Sequence, residues 1–319
     1  MRRILVTGAA GFVGRHVVAA LRARFAADNA ILGIGRRAAA EPIDGADYGQ
    51  VDLLDAEALA RCLADFRPTD ILHLAAVSAV QQSAADPLSA WRSNVGGLFN
   101  LVDAVLKEAS TTNLFFVSSG EVYGRAFLSG RPIDETFAPE PAGSYARSKW
   151  IGEQMLLDIL RPTQVRLVIL RPFNHTGAGQ DERFVVPSFA GQIARIEAGL
   201  SPPRLEVGNL TAQRDFLDVA DVARAYVDLI AAAEILPSGT ILNICSGRPR
   251  AIASILEDLR KMALRPFTVV EAPDRMRPSE IPIAIGDAGR LRAAIGWAPS
   301  VDWAETLAKV LAGARGAIG

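Results

Sequence analysis

The sequence predicts an α/β fold, a doubly wound parallel sheet of about seven strands continued by a smaller C-terminal lobe. Short apolar runs alternate with stretches of helical periodicity as far as Pro172, the pattern of strands buried on both faces and joined by crossover helices. The first run, Ile4-Leu5-Val6, passes at once into a glycine-rich turn and a helix. Beyond Pro172 the alternation loosens. These observations divide the chain into a sheet-forming unit, residues 1–172, and a lobe drawn mainly from 173–319, with a strand near 240–245 returning to the sheet.

The elements follow in order. Gly8-Ala9-Ala10-Gly11-Phe12-Val13-Gly14 leads from the first strand into a helix reaching Phe25. Ala30–Gly35 reads as the second strand and Tyr48–Val51 as the third, and a helix starts near Asp55, for which Asp52 is a candidate cap. Asp70 to Ala76 is the fourth strand; His73 within it is expected to be a packed core residue. Asp86-Pro87 opens a long helix, Leu88–Ala109, whose Leu98, Leu101, Val102, Val105 and Leu106 share one face. Leu114–Val117 is the fifth strand. Another helix begins at Gly143-Ser144-Tyr145, with Ser144 as its cap and Ile151, Met155, Leu156 and Ile159 at helical spacing. Val165–Leu170 is the sixth strand, Phe184–Gly199 a helix, Val207–Phe216 a strand, Asp218 the start of a further helix, and Ile241–Cys245 a last strand.

Two patterns carry chemistry. In the glycine turn, Gly8 permits the tight bend, Gly11 lets a pyrophosphate approach the backbone, and Gly14 lets the helix close on the strand, with the helix N-terminus facing the phosphates. Tyr145 and Lys149 lie one helical turn apart on one face. An ammonium beside a phenol favours the phenolate, so the pair is expected to pass a proton near neutral pH, which an isolated tyrosine with a pKa of about 10 does poorly. At the end of the second strand stands Gly35-Arg36-Arg37, with no acid to read a ribose 2′-hydroxyl. Two planar guanidiniums suit a 2′-phosphate, with Arg36 the better candidate, so NADP(H) is expected to be preferred and NAD(H) remains possible. A solvated arginine pair is the alternative.

The GxxGxxG spacing together with Tyr145-x-x-x-Lys149 resembles the extended short-chain dehydrogenases/reductases, the group of nucleotide-sugar epimerases, 4,6-dehydratases and 4-ketoreductases. The resemblance covers essentially the whole chain and implies a Rossmann-like fold. It implies that Gly8, Gly11, Phe12, Val13, Gly14, Arg36, Asp52, Leu53, Leu74, Ala75, Ala76, Tyr145, Lys149 and Pro172 contact the cofactor, with Asp52-Leu53 at the adenine and Pro172 at the nicotinamide. Ser119, four residues before Tyr123, matches the family's catalytic serine or threonine, and Asn94 its supporting asparagine. Asn174 and Arg214 match residues that hold the substrate's diphosphate. The run Arg275-Met276-Arg277-Pro278-Ser279-Glu280 looks like that of the GDP-6-deoxy-4-keto-D-mannose reductases, in which Arg277 and Glu280 would hold diphosphate and ribose.

The resemblance therefore implies an NAD(P)-dependent oxidoreductase reducing GDP-4-keto-6-deoxy-D-mannose to GDP-D-rhamnose, with Ser119, Tyr145 and Lys149 catalytic and a nucleotide-diphosphate sugar as partner. Glu121 keeps rivals open, because 4,6-dehydratases use a glutamate there as the base for elimination. Those acting on dTDP-sugars also carry an aspartate just before it, and those acting on GDP-mannose a small hydroxyl residue; this chain has Gly120. A C4 epimerase is a second alternative, and a non-catalytic NADP(H)-binding sensor a third, disfavoured by the intact Ser119, Tyr145 and Lys149. The family's dimeric four-helix bundle implies a homodimer.

The bulk composition agrees with a globular chain: 319 residues, 50% of them hydrophobic, suffice for a large core. A net charge of -1 argues against nucleic acid or an acidic membrane held by bulk electrostatics. Cys62 and Cys245 are far apart, and His16, His73 and His175 have no ligand spacing, so no metal is expected. The apolar run after Met1-Arg2-Arg3 stops at Thr7-Gly8, shorter than a signal sequence needs, so a cytoplasmic location is expected.

Overall fold

The computed structural model describes residues 1–25, 29–39, 42–43, 46–77, 85–275 and 281–318. The strands are β1 (Arg3–Thr7), β2 (Ala30–Gly35), β3 (Asp47–Gln50), β4 (Asp70–His73), β5 (Asn113–Val117), β6 (Arg166–Pro172), β7 (Asn174–Thr176), β8 (Arg204–Val207), β9 (Gln213–Asp218), β10 (Thr240–Ile244), β11 (Pro249–Ala251), β12 (Thr268–Glu271) and β13 (Ile283–Ala284). The helices are α1 (Phe12–Arg24), α2 (Ala56–Phe66), α3 (Pro87–Trp91), α4 (Gly97–Glu108), α5 (Gly143–Leu160), α6 (Val185–Glu197), α7 (Val219–Ala231), α8 (Ile252–Lys261), α9 (Gly289–Ile295) and α10 (Trp303–Gly316).

Seven strands form one parallel sheet in the order β10-β6-β5-β4-β1-β2-β3. The chain runs outward from β1 to β3 and then returns to β4 on the other side of β1, which opens a crevice at the carboxyl ends of β1 and β4. Both faces of the sheet are covered. Ile4 and Val6 pack on the side of Val17, Val18 and Leu21 from α1, whereas Leu5 packs on the side of Leu59 and Leu63 from α2 and Leu101 from α4. That alternation is the period-two geometry of a strand, and burial on both sides explains why the strands read as unbroken apolar runs.

A third core lies in the lobe, where Phe189 and Ile193 of α6 meet Leu205 of β8, Leu259 of α8 and Leu307 of α10. Its strand β9 is flanked by β11 and β13 and also pairs with β7, which follows β6 after one residue. The end of the main sheet is thus coupled directly to the lobe. Among the described residues, no helix is long and apolar enough to cross a membrane.

Three local expectations are corrected. The stretch Val207–Phe216 is not one strand: Asn209 Oδ1 accepts hydrogen bonds from the Thr211 amide at 2.8 Å and its hydroxyl at 2.7 Å, a side-chain-closed turn that separates β8 from β9. The helix from Leu88 to Ala109 is interrupted by a π turn, Arg92–Gly96, between α3 and α4. Ser144 does not cap α5. Ala142 occupies the cap position without a side-chain hydrogen bond, and Ser144 lies within the first turn.

Candidate active site

The glycine turn has the shape its spacing implies. Gly8 has φ 73°, and a Cβ there would stand 3.0 Å from the Ala75 amide nitrogen, so Leu74-Ala75-Ala76 after β4 lies directly against the turn. A Cβ on Gly14 would be 2.4 Å from the Gly8 carbonyl oxygen, which excludes any side chain. Gly11 occupies the cap position of α1 and offers no side-chain acceptor to the first-turn amides around Phe12, Val13 and Gly14. These features fit a pyrophosphate.

Around the adenosine end, Arg36 is exposed just after β2. Asp52 accepts from the Leu54 amide at 3.0 Å rather than capping α2; Asp55 takes the cap, accepting from Ala58 at 2.9 Å. Leu53 packs against Gly97, and its carbonyl accepts from Asn100 at 2.9 Å.

Tyr145, Lys149 and Ser119 converge at the carboxyl end of β5. The Tyr145 hydroxyl is hydrogen-bonded to Ser119, whose Oγ also accepts from the Glu121 amide at 3.1 Å. The expected electrostatics are corrected here. Burial pushes the Tyr145 phenol up to about 12, eased by the Ser119 hydrogen bond and reinforced by the negative charge of Glu121. Lys149 is buried, its Nζ donates to the Val117 carbonyl at 2.8 Å, and burial lowers its pKa to about 8 while Glu153 acts the other way. The ammonium carries three donors, so one bond to Val117 does not exhaust it. His73 lies beside this lysine, neutral, with burial and the Lys149 charge lowering its pKa to about 3. Thr7 Oγ1 accepts from the Ala75 amide at 3.1 Å and shares a hydrogen bond with His73 Nδ1 at 2.9 Å, which joins the ends of β1 and β4.

A buried scaffold holds these groups. Asn94, inside the π turn, accepts from the Val77 amide at 2.8 Å and donates to Ser148 Oγ at 2.9 Å, and Ser148 donates to the Tyr145 carbonyl at 2.8 Å. One asparagine side chain thereby ties the segment after β4 to α5, and π turns are frequent at functional sites. Glu153, one turn beyond Lys149, accepts from Arg171 Nε at 3.0 Å and Nη2 at 2.6 Å and also from Ser118. The Arg171 guanidinium lies 4.8 Å from the centre of the Tyr123 ring, whose hydroxyl donates to Asn243 of β10 at 2.8 Å. Reading the sequence missed Glu153, Arg171 and Ser148 as supports. The signal was the i, i+4 spacing of Lys149 and Glu153 and an arginine ending an otherwise apolar strand.

Glu121 is exposed just beyond β5, where the surrounding protein raises its carboxyl pKa and the nearby Arg214 charge opposes that rise. Arg214 is half-buried on β9, and Asn174 begins β7 beside it. Gly120 lies under the Phe173 ring; a Cβ there would be 2.9 Å from Phe173 Cδ2. Arg277 and Glu280 lie outside the described residues. Their neighbour Arg275 donates to Ser188 at 3.3 Å and approaches Glu206 at 3.7 Å.

The model of the family described as GDP-mannose 4,6 dehydratase matches residues 5–310. The chain belongs to this family, among the extended short-chain dehydrogenases/reductases. As such it is an NAD(P)-dependent enzyme with a nicotinamide cofactor site. It is 34% identical over 310 residues to a GDP-6-deoxy-D-mannose reductase of Pseudomonas aeruginosa, covering 97% of this chain and 96% of that protein. A solved structure of RMD from Pseudomonas aeruginosa complexed with NADPH superposes with a TM-score of 0.86 at 32% identity, covering 99% of this chain and all of the other. A UDP-glucose 4-epimerase of Thermus thermophilus in complex with NAD reaches a TM-score of 0.85 at 31% identity, with 99% of each chain covered.

Proposed function

We propose that this family member is a nucleotide-sugar 4-ketoreductase, converting GDP-4-keto-6-deoxy-D-mannose to GDP-D-rhamnose with NADPH. The observation that carries this reading over a dehydratase is Gly120. The Phe173 ring fills the space where an acid or hydroxyl group would stand beside Glu121, so the group that would protonate a leaving hydroxyl is missing from that place, which weakens the dehydratase reading. Likeness to a GDP-6-deoxy-D-mannose reductase and to a structure with NADPH supports the substrate and the cofactor. Arg36 and Arg37 at the end of β2 support NADPH over NADH by their suitability for a 2′-phosphate.

When bound, the reduced nicotinamide supplies the hydride for C4. Gly8, Gly11 and Gly14 with the first-turn amides of α1 would hold its pyrophosphate, and Pro172, at the end of β6, would border the nicotinamide. Tyr145 Oη gives its proton to the C4 oxygen as the alkoxide develops, and a phenol with a pKa of about 12 remains protonated for that task at neutral pH. Ser119 Oγ steadies the carbonyl oxygen, and the Lys149 ammonium stabilises the phenolate that remains and bonds the nicotinamide ribose. Arg214 and Asn174 take the diphosphate, with Arg277 and Glu280 as further candidates from the loop. Glu121 orients the sugar. Leu88, Phe99 and Ile151, 70%, 54% and 39% exposed on α3, α4 and α5, support a homodimer through these helices. A cytoplasmic location is part of this reading.

The test is incubation of the pure protein with the keto-sugar and NADPH, following nicotinamide absorbance. Stoichiometric oxidation of NADPH is expected, and Glu121→Gln should retain activity within about ten-fold, because no general base is required of it. Turnover without net NADPH oxidation, abolished by Glu121→Gln, would establish the dehydratase instead.

A further inference from the structure

The loop carrying Arg36 and Arg37 is held by its neighbouring strand in an unusual manner. β2 pairs with β3 in parallel register, Gly33 opposite Tyr48 and Gly35 opposite Gln50. The backbone ladder closes with the Val51 amide donating to the Gly35 carbonyl at 2.9 Å. Beyond that point side chains of β3 take over. Gln50 Nε2 donates to the Arg36 carbonyl at 3.3 Å, and Tyr48 Oη donates to the Arg37 carbonyl at 2.7 Å. Three successive carbonyls are therefore anchored to one strand. The path of the tyrosine requires Gly35, two residues along the neighbouring strand from its register partner Gly33: a Cβ on Gly35 would stand 2.5 Å from Tyr48 Oη.

Both arginines are exposed, and neither guanidinium contributes to this anchoring. We propose that Tyr48 and Gln50 are positioning residues for selection of the cofactor's 2′-phosphate: they fix the peptide units of Arg36 and Arg37 and so aim the two guanidiniums before the cofactor arrives. This rests on the NADPH reading above. An exposed loop of two arginines would otherwise lose conformational freedom on binding, and holding it in advance removes that cost from the phosphorylated cofactor alone. NADH, which has no 2′-phosphate, gains nothing from it.

The experiment is direct calorimetric titration of the full chain with NADPH and with NADH, for the wild type, Tyr48→Phe, Gln50→Leu and Arg36→Ala. Phe retains the ring that packs beside β2 and removes only the hydroxyl. We expect Tyr48→Phe to weaken NADPH by about five-fold, the effect of one lost hydrogen bond, with NADH changed by less than about two-fold. Gln50→Leu should act in the same direction and more weakly, and it provides an independent reading should Tyr48→Phe fold poorly. An unchanged NADPH affinity in both variants, or equal losses for both cofactors, would overturn the proposal. If Arg36→Ala leaves the preference for NADPH intact, or the wild type shows none, the cofactor reading itself has failed and the positioning role falls with it.

Discussion

The two ends of the cofactor crevice are built by different means. At the tyrosine end, α5 is clamped from below by buried groups on separate elements: Asn94 from the π turn, Val117 and Ser118 from the end of β5, and Arg171 from β6. At the arginine end, an exposed loop is held by two side chains of a single edge strand. Proton transfer needs donor and acceptor within about 3 Å, so the chemistry demands the rigid end. Recognition of a phosphate by long charged side chains tolerates more displacement and works at the surface, where it can be altered without disturbing the core.

The sharpest way to break this comparison is at Tyr145. Tyr145→Phe should lower kcat by about 10²–10⁴-fold through loss of the proton donor, while a calorimetric titration finds NADPH affinity nearly unchanged. A variant that keeps its turnover would remove the tyrosine from the mechanism. Next in size is the clamp. Glu153→Ala leaves a buried Arg171 without its carboxylate and should cost about 3–5 kcal/mol in urea-induced unfolding, whereas Arg36→Ala should barely move the midpoint. Equal effects would show that the two ends are not built differently.

The smallest expected effect is on pH dependence. Lys149 is charged below its pKa of about 8 and loses that charge as the pH rises, so kcat/KM for reduction should fall on the alkaline side of about pH 8. Tyr145, at about 12, stays protonated through that range and does not contribute. The preference for NADPH over NADH, set at the arginine end, should show no step there, because guanidiniums remain charged. A flat rate profile would mean that the ammonium is not required.

The strands and the glycine turn were legible because both depend on local pattern: apolar runs for a sheet covered on each face, and glycines where Gly8 bends and Gly14 meets the Gly8 carbonyl. The joining of β8 and β9 into one strand, which rested on the resemblance to the family's arginine-bearing strand, failed because the Asn209 side chain turns the backbone inside it. The π turn escaped because the periodic residues Leu98, Leu101 and Val105 all lie beyond it, in α4, and do not register the slip. The Tyr145–Lys149 electrostatics were misjudged for a different reason. Spacing along a helix says that two side chains are neighbours but not how deeply they are buried, and burial dominates both pKa values.

By itself the sequence determined the sheet, the glycine turn whose shape fits a pyrophosphate, and the motif residues Ser119, Tyr145 and Lys149, because each is written within a single element or at its end. Tertiary structure alone decided that Arg171 neutralises Glu153, that the Phe173 ring closes the space beside Gly120, and that Tyr48 reaches across β2 to the Arg37 carbonyl. Those contacts join segments whose proximity follows from strand order and register, and periodicity along one element carries no information about which segment will lie against it.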